Sequence, residues 1–290
     1  MRTFFVCVKG VAIGAANIVP GVSGATLALV FGIYEKLIAS VNELFSSPKS
    51  SLKFLAPLGL GMAAGIVLLG TLVDQALYLF PIAAKLFITG LMLGSLPHVH
   101  RVALGERGVR AKKRYYIVSV LSAVSVAALV LLAPVPDAAL EVSPSVGFVA
   151  FVFAVGVFAA AALMIPGISG AMVFILFGLY PVVLDVISKI RDYVLSPTSF
   201  ELLGPIFTVA APLGVGIAIG ILLCSRLIAL LLKKHHMLTY FVIIGLIVGS
   251  VAALWADELR SGWAVIVFGL LSFAAGFAAS VSLGRLEKRN

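Results

Sequence analysis

The chain has 290 residues, 62% of them hydrophobic and only 11% charged, with a mean hydropathy of +1.18. Soluble domains carry about 25% charged residues, so this composition excludes a soluble enzyme or binding module and indicates an integral membrane protein. The net charge of +9 does not mark a nucleic-acid partner, because the basic residues sit in short segments between apolar stretches, and Cys7 and Cys224 lie in apolar surroundings that exclude a disulfide framework.

The first element is an apolar region over 4–41 that is broken at Pro20-Gly21. Residues 3–19 carry Lys9 and run directly into the break, so they read as structure and not as a cleaved leader. Lys9 lies in the first half-helix, where it either pairs with an anionic group or snorkels to the surface. Asn17 precedes the break, placed to bind a substrate or to cap a freed backbone group. Glu35 ends the hairpin beside Lys36, as an interfacial pair or a proton-coupling acid. Spans are then predicted at 54–73, 82–100 and 115–134, each close to the ~20 residues a helix needs to cross a bilayer core of about 30 Å. A second broken region covers 147–188, with Asp185 as an interfacial acid near its end. Three further spans follow at 204–231, 238–256 and 262–283. Lys85 and Arg226 read as span-end anchors. His98, His100, His235 and His236 fall on loops, without metal-ligand spacing, and neither metal nor cofactor is expected.

The two broken regions are copies of each other. VPGVSGATLALVFGIY at 19–34 reappears as IPGISGAMVFILFGLY at 165–180, with eight of the sixteen positions identical. The copying continues: APLGLGMAAG at 56–65 matches APLGVGIAIG at 211–220, and GLMLGS at 90–95 matches GLIVGS at 245–250. The motif blocks are offset by 146 positions and the later ones by 155, which places nine additional residues in the loop near 189–203. The expected fold is therefore an all-α membrane protein of two repeats, 1–140 and 141–290. Each is a re-entrant or broken helical hairpin followed by three transmembrane helices. Three crossings are odd in number, so the halves face opposite ways as an inverted repeat. Gly59, Gly61 and Gly65, with Gly214, Gly216 and Gly220, form small-residue faces for tight helix packing, and such faces permit a homodimer.

Charge supports one orientation. With the N-terminus inside, the loops at 42–53, 101–114 and 232–237 and the C-terminus hold most of the Lys and Arg. Asp74, Asp137, Glu141, Asp192, Glu201, Asp257 and Glu258 fall outside. Both termini are then cytoplasmic. The basic loops offer a secondary role in holding anionic lipid headgroups.

In each motif the residue types suit anion binding. Pro20 removes an N–H and stops the preceding helix. Gly21 permits the turn and close backbone approach. Ser23 suits the N-cap of a helix beginning near Gly24, whose free N–H groups and dipole favour an anion. Ser23 and Thr26 add hydroxyls. Pro166, Gly167, Ser169 and Gly170 repeat the pattern, with Met172 in place of Thr26. Two such tips meeting near the membrane midplane would cradle a phosphate or carboxylate.

The run KG…AANIVPGVSGATLALVFGIYEKLI, with the later MIPGISGAMVFILFGLY, resembles the bacterial undecaprenyl-phosphate translocase family over essentially the whole chain. The resemblance implies transport of the phosphorylated C55 polyprenol carrier across the bacterial cytoplasmic (inner) membrane. The carrier would return from the outer to the inner leaflet for envelope polymer synthesis, by alternating access of one half against the other. Its partners would be that lipid and the surrounding membrane lipids. The family pattern has an acid where this chain has Asn17, Gly at Ala25 and often Ser at Ala171. If that acid couples protons in relatives, Asn17 does not.

Two competing readings are weighed against it. Undecaprenyl-pyrophosphate phosphatases share a PG-x-S motif, but they place Arg directly after the Ser and carry paired glutamates. Here Gly24 and Gly170 stand at those positions and no E-x-x-x-E lies in a span. A phosphatase needs cationic clamping and a base, so an enzyme is not expected. The second alternative, a secondary transporter of a small organic or inorganic anion, would use the same tips. It differs in needing no lateral apolar opening for a lipid tail.

Overall fold

The computed structural model describes residues 2–18, 23–105, 110–132, 140, 142–195, 203–255 and 272–281. Among these, every regular element is a helix and there is no strand. In chain order they are α1 (Arg2–Ile18), α2 (Gly24–Val30), α3 (Tyr34–Asn42), α4 (Pro48–Leu79), α5 (Pro81–Leu104) and α6 (Lys113–Leu132). They continue with α7 (Val146–Met164), α8 (Gly170–Leu176), α9 (Tyr180–Leu195) and α10 (Leu203–Leu254), and end with α11 (Ser272–Val281). Pro48 and Pro81 open α4 and α5 at the first helical position, where a missing N–H costs nothing. α10 is interrupted at His235, whose φ of −135° and ψ of 44° are non-helical.

Among the described residues, three stretches are long and apolar enough to cross a membrane: Pro81–Leu104, Val146–Met164 and Ile206–Val251. They become five if each bent pair is one span. Large apolar side chains stand exposed along the helices, including Leu60 and Leu68 of α4, Val120 and Leu121 of α6 and Phe207 of α10. Water does not tolerate such patches and lipid does, so this is a multi-pass membrane protein. The predicted spans 54–73, 82–100 and 115–134 fall on α4, α5 and α6, with 133–134 outside the described residues. Those at 204–231 and 238–256 fall on the two parts of α10, and of 262–283 only Ser272–Val281 is described.

Two expectations are corrected. First, each motif region contains two breaks, not one. Beyond the Pro-Gly the chain forms a helix of only seven residues, then bends by 117° between α2 and α3 and by 115° between α8 and α9. The bends follow from Gly32 and Gly178, with φ of 60° and 69°. At the first, Ile33 N–H donates to Ala28 O and Gly32 N–H to Leu29 O; at the second, Leu179 donates to Phe174 O and Gly178 to Ile175 O, all within 3.0 Å. This paired pattern closes a helix C-terminus around a left-handed residue, which favours glycine. Second, His98 and His100 lie within α5, and His235 and His236 within the α10 range, not on loops. α7, with 19 residues, is also longer than a half-span: at 1.5 Å per residue it reaches about 28 Å.

The chain divides into two compact units. One comprises 1–132, 165–168 and 225–290, and the other 133–164 and 169–224. In the first, α1 packs on α4 at backbone distance: a Cβ on Gly61 would lie 2.1 Å from Cys7 O, and one on Gly14 2.1 Å from Met62 O. Gly90 and Gly94 of α5 bring that helix against Phe273 and Phe277 of α11. Gly245 and Gly249 of α10 do the same against Ser119 and Ala123 of α6. In the second unit, Val152 and Val155 of α7, Leu179, Val182 and Val186 at α9, and Val209 and Leu213 of α10 form the core. Gly216 and Gly220 meet the α7 backbone at Phe153 and Val157. The packing role expected of the glycine faces holds at Gly61, Gly65, Gly216 and Gly220. Gly59 and Gly214 face open space.

Candidate functional site at the broken helices

The site forms where α1 stops and α2 begins. Pro20 and Gly21 lie outside the described residues. Ser23 occupies the N-cap position of α2 with extended backbone, as its residue type predicts, yet its side chain makes no capping bond. The capping acceptor is Asn17, whose Oδ1 receives the Gly24 N–H at 2.9 Å. Asn17 is held so closely that a Cβ on Gly24 would lie 2.5 Å from that oxygen. The Ser23 hydroxyl instead donates to Ile165 O at 3.3 Å. Thr26 Oγ1 accepts the Gly167 N–H at 3.0 Å. The first motif therefore grips the turn of the second, Ile165–Ile168, through two hydroxyls that are each 2% exposed.

Gly167 has a φ of 89°, and a Cβ there would lie 2.6 to 2.7 Å from the Leu246–Ile247 backbone. Only glycine fits both constraints. Pro166 beside it is buried. Ser169 is the N-cap of α8, buried and again without a side-chain capping bond, and its carbonyl accepts the Met172 N–H. At the position equivalent to Asn17 stands Leu163, which packs against Gly170 and offers no acceptor.

Lys9 and Glu35 are not at the tip. Lys9 Nζ donates to Phe31 O at 2.7 Å, at the other end of α2, where a cation complements the exposed carbonyls. The seven residues between put it about 10 Å from the helix start. Glu35 lies in the first turn of α3 and accepts a 2.6 Å hydrogen bond from the Tyr240 hydroxyl, with His236 Nε2 at 3.7 Å. Its expected neighbour Lys36 stacks over Phe54 instead. Asp185 forms an i,i+4 pair with Lys189. Tyr240 and His236 were not read as site residues; an aromatic hydroxyl at the head of an apolar span was the available signal. Among the described residues no group of His, Cys, Asp and Glu could hold a metal.

Beside Thr26 opens a cavity of about 720 Å³. Ala12 and Ala16 of α1, Val30 of α2, Leu72 of α4, and Ala84 and Leu91 of α5 contribute to its walls, and Thr26 is the one lining residue with a polar side chain. A polar tip thus adjoins a wholly apolar chamber within one unit.

These features define an all-helical, multi-pass membrane protein with paired helix interruptions. The chain belongs to the VCA0040-like family, described as undecaprenyl phosphate translocase-like, which residues 13–269 match. The family is named for transport and not for catalysis. A Staphylococcus aureus (strain NCTC 8325 / PS 47) protein named polyprenyl-phosphate transporter is 29% identical over 285 residues, covering 97% of this chain and 96% of that protein. A Vibrio cholerae serotype O1 protein of the same name is 28% identical over 272 residues, covering 89% of this chain and 79% of that protein. No solved structure matches.

Proposed function

We propose that this protein translocates a polyprenyl phosphate, undecaprenyl phosphate in the first instance. It returns the carrier from the outer to the inner leaflet of the bacterial cytoplasmic membrane for renewed use in envelope polymer synthesis. The observation that carries this reading is the 720 Å³ apolar cavity adjoining Thr26. A small-anion transporter has no use for such a chamber, whereas a prenyl tail needs one beside its headgroup site. The family and the names of both relatives support the same substrate.

The headgroup binds at the motif. Ser23 and Thr26 supply hydroxyl donors and Gly167, beside the buried Pro166, an N–H donor; Ser169 and Gly170 offer the same kinds of donor on the second copy. Loading exchanges the Ser23–Ile165 and Thr26–Gly167 bonds for bonds to phosphate oxygens, so binding and release of the Ile165–Ile168 turn are linked. Asn17 holds the α2 start in place. Lys9 and Glu35 act outside the headgroup contact. An uncompensated charge at mid-bilayer costs several kcal/mol, which is the barrier these donors lower.

The inverted repeat belongs to the same proposal. Reciprocal glycine packing supports it: α5 on α11, and α10 on α6, pair the second crossing of each repeat with the third crossing of the other. Pro57 and Pro212 inside α4 and α10, 155 positions apart, add to it. The basic loops support an orientation with both termini in the cytoplasm.

The test is a liposome assay that reports which leaflet holds polyprenyl phosphate. Purified protein accelerates its exchange, and Ser23→Ala with Ser169→Ala slows exchange about tenfold or more, because charge-assisted hydrogen bonds are lost. Acceleration of inorganic phosphate but not of the lipid would overturn the proposal.

A further inference from the structure

A second cluster of basic residues lies at the break in α10 and contains none of the motif residues. Where α10 breaks at His235, the residues Lys234, His235 and His236 face the start of α6, and with Arg114 and Tyr115 they enclose a cavity of about 510 Å³. The cavity exists because of the break: a continuous helix would distribute three successive residues around its circumference, and the non-helical His235 gathers them on one side. Arg114 is placed by its neighbour, its guanidinium lying 4.9 Å from the centre of the Tyr115 ring and donating from Nη2 to the Tyr115 hydroxyl at 3.1 Å. That bond uses one of five guanidinium N–H groups. No described carboxylate lies within ion-pair distance of Arg114 or Lys234. Glu35 reaches only His236, and it already accepts the Tyr240 hydroxyl.

We propose that this cavity binds the phosphate of an anionic membrane lipid. Arg with Lys is a strong phosphate pair, since guanidinium gives planar two-point contact and ammonium a mobile charge. A soluble anion would need nothing more. Here, however, Val118, Met237 and Leu238 complete the cavity, and an exposed apolar stripe on α6 begins two residues beyond Arg114. Tyr116, Ile117, Val120, Leu121 and Val124 are 48 to 61% exposed at i, i+1, i+4, i+5 and i+8, the spacing of one helix face. A headgroup seated on Arg114 and Lys234 has a track for its chain along that face. The site binds a phosphate lipid whether or not the protein moves one.

Native mass spectrometry of the purified full chain tests this with phosphatidic acid against phosphatidylcholine of the same acyl chains. Phosphatidic acid is retained in about tenfold preference. The preference falls toward parity in Arg114→Gln with Lys234→Gln, and it survives in the charge-keeping pair Arg114→Lys with Lys234→Arg. It also survives in Ser23→Ala with Ser169→Ala, which separates this site from the transport proposal. Equal retention of the two lipids by the unmodified chain, or undiminished preference in the Gln pair, overturns the inference. Displacement of phosphatidic acid by an equal concentration of inorganic phosphate overturns it too, leaving a soluble-anion site.

Discussion

At the scale of single residues, the start of α2 shows how a helix's first donors are divided among neighbouring groups. A serine at an N-cap normally bonds the backbone two or three residues on. Ser23 does not: the Thr26 N–H goes to the Ser23 carbonyl, Asn17 accepts the Gly24 N–H, and the Ser23 hydroxyl reaches Ile165 across 142 positions of sequence. The residue type of Ser23 was readable and its partner was not, since a bond so distant leaves no local spacing. For Asn17 the sequence left capping and substrate contact open, and the 2.9 Å bond to Gly24 is the capping contact. Asn17→Leu, which installs the residue of the second copy, removes the acceptor and costs about 1 kcal/mol. Asn17→Asp keeps an acceptor at a helix N-terminus and retains the stability. Unfolding free energies of the two variants in detergent, relative to the unmodified chain, check the pair; equal values for Leu and Asn would remove the capping role.

At the scale of elements, glycine decides which helices touch and where they end. The spacing of Gly61 and Gly65 announced close packing, and the α1 backbone is what they meet. Spacing alone did not separate them from Gly59, which lies two residues away and faces open space. That distinction requires knowing the rotation of α4 about its axis. It yields a paired prediction. Gly61→Ala drives a Cβ to 2.1 Å from a backbone carbonyl, which forces α1 from α4 at a cost of about 1–3 kcal/mol or more. Gly59→Ala meets nothing and gains up to about 1 kcal/mol of helix propensity. Thermal unfolding should therefore move in opposite directions for two identical substitutions in one helix. The bends at Gly32 and Gly178 were missed for a related reason. Phe-Gly-Ile-Tyr and Phe-Gly-Leu-Tyr are apolar throughout, so hydropathy runs through them unbroken and only the left-handed glycine marks the stop. Gly178→Ala places a Cβ at a φ of 69°, with an expected cost of about 1–2 kcal/mol.

At the scale of the whole molecule, the sequence was most informative about what repeats and least informative about what is enclosed. The copies at 19–34 and 165–180 could be aligned by eye, but the cavity beside Thr26 is built largely from alanines and leucines on five helices, ordinary residues whose meaning lies in where the helices place them. Ala84 of α5 is one of its walls. Ala84→Phe grows a ring into existing space, so it avoids the strain of enlarging a residue in a filled core. If the prenyl tail occupies the cavity during passage, the ring takes the tail's place, and exchange of undecaprenyl phosphate in liposomes falls about tenfold, equivalent to some 1.4 kcal/mol on the barrier. A phosphate carrying only two isoprene units needs less of the chamber and is slowed less. The stability of the variant is unchanged, which separates blockage from misfolding. Undiminished exchange of the long lipid in a folded Ala84→Phe protein would show that the tail travels elsewhere, and the cavity would lose its place in the transport proposal.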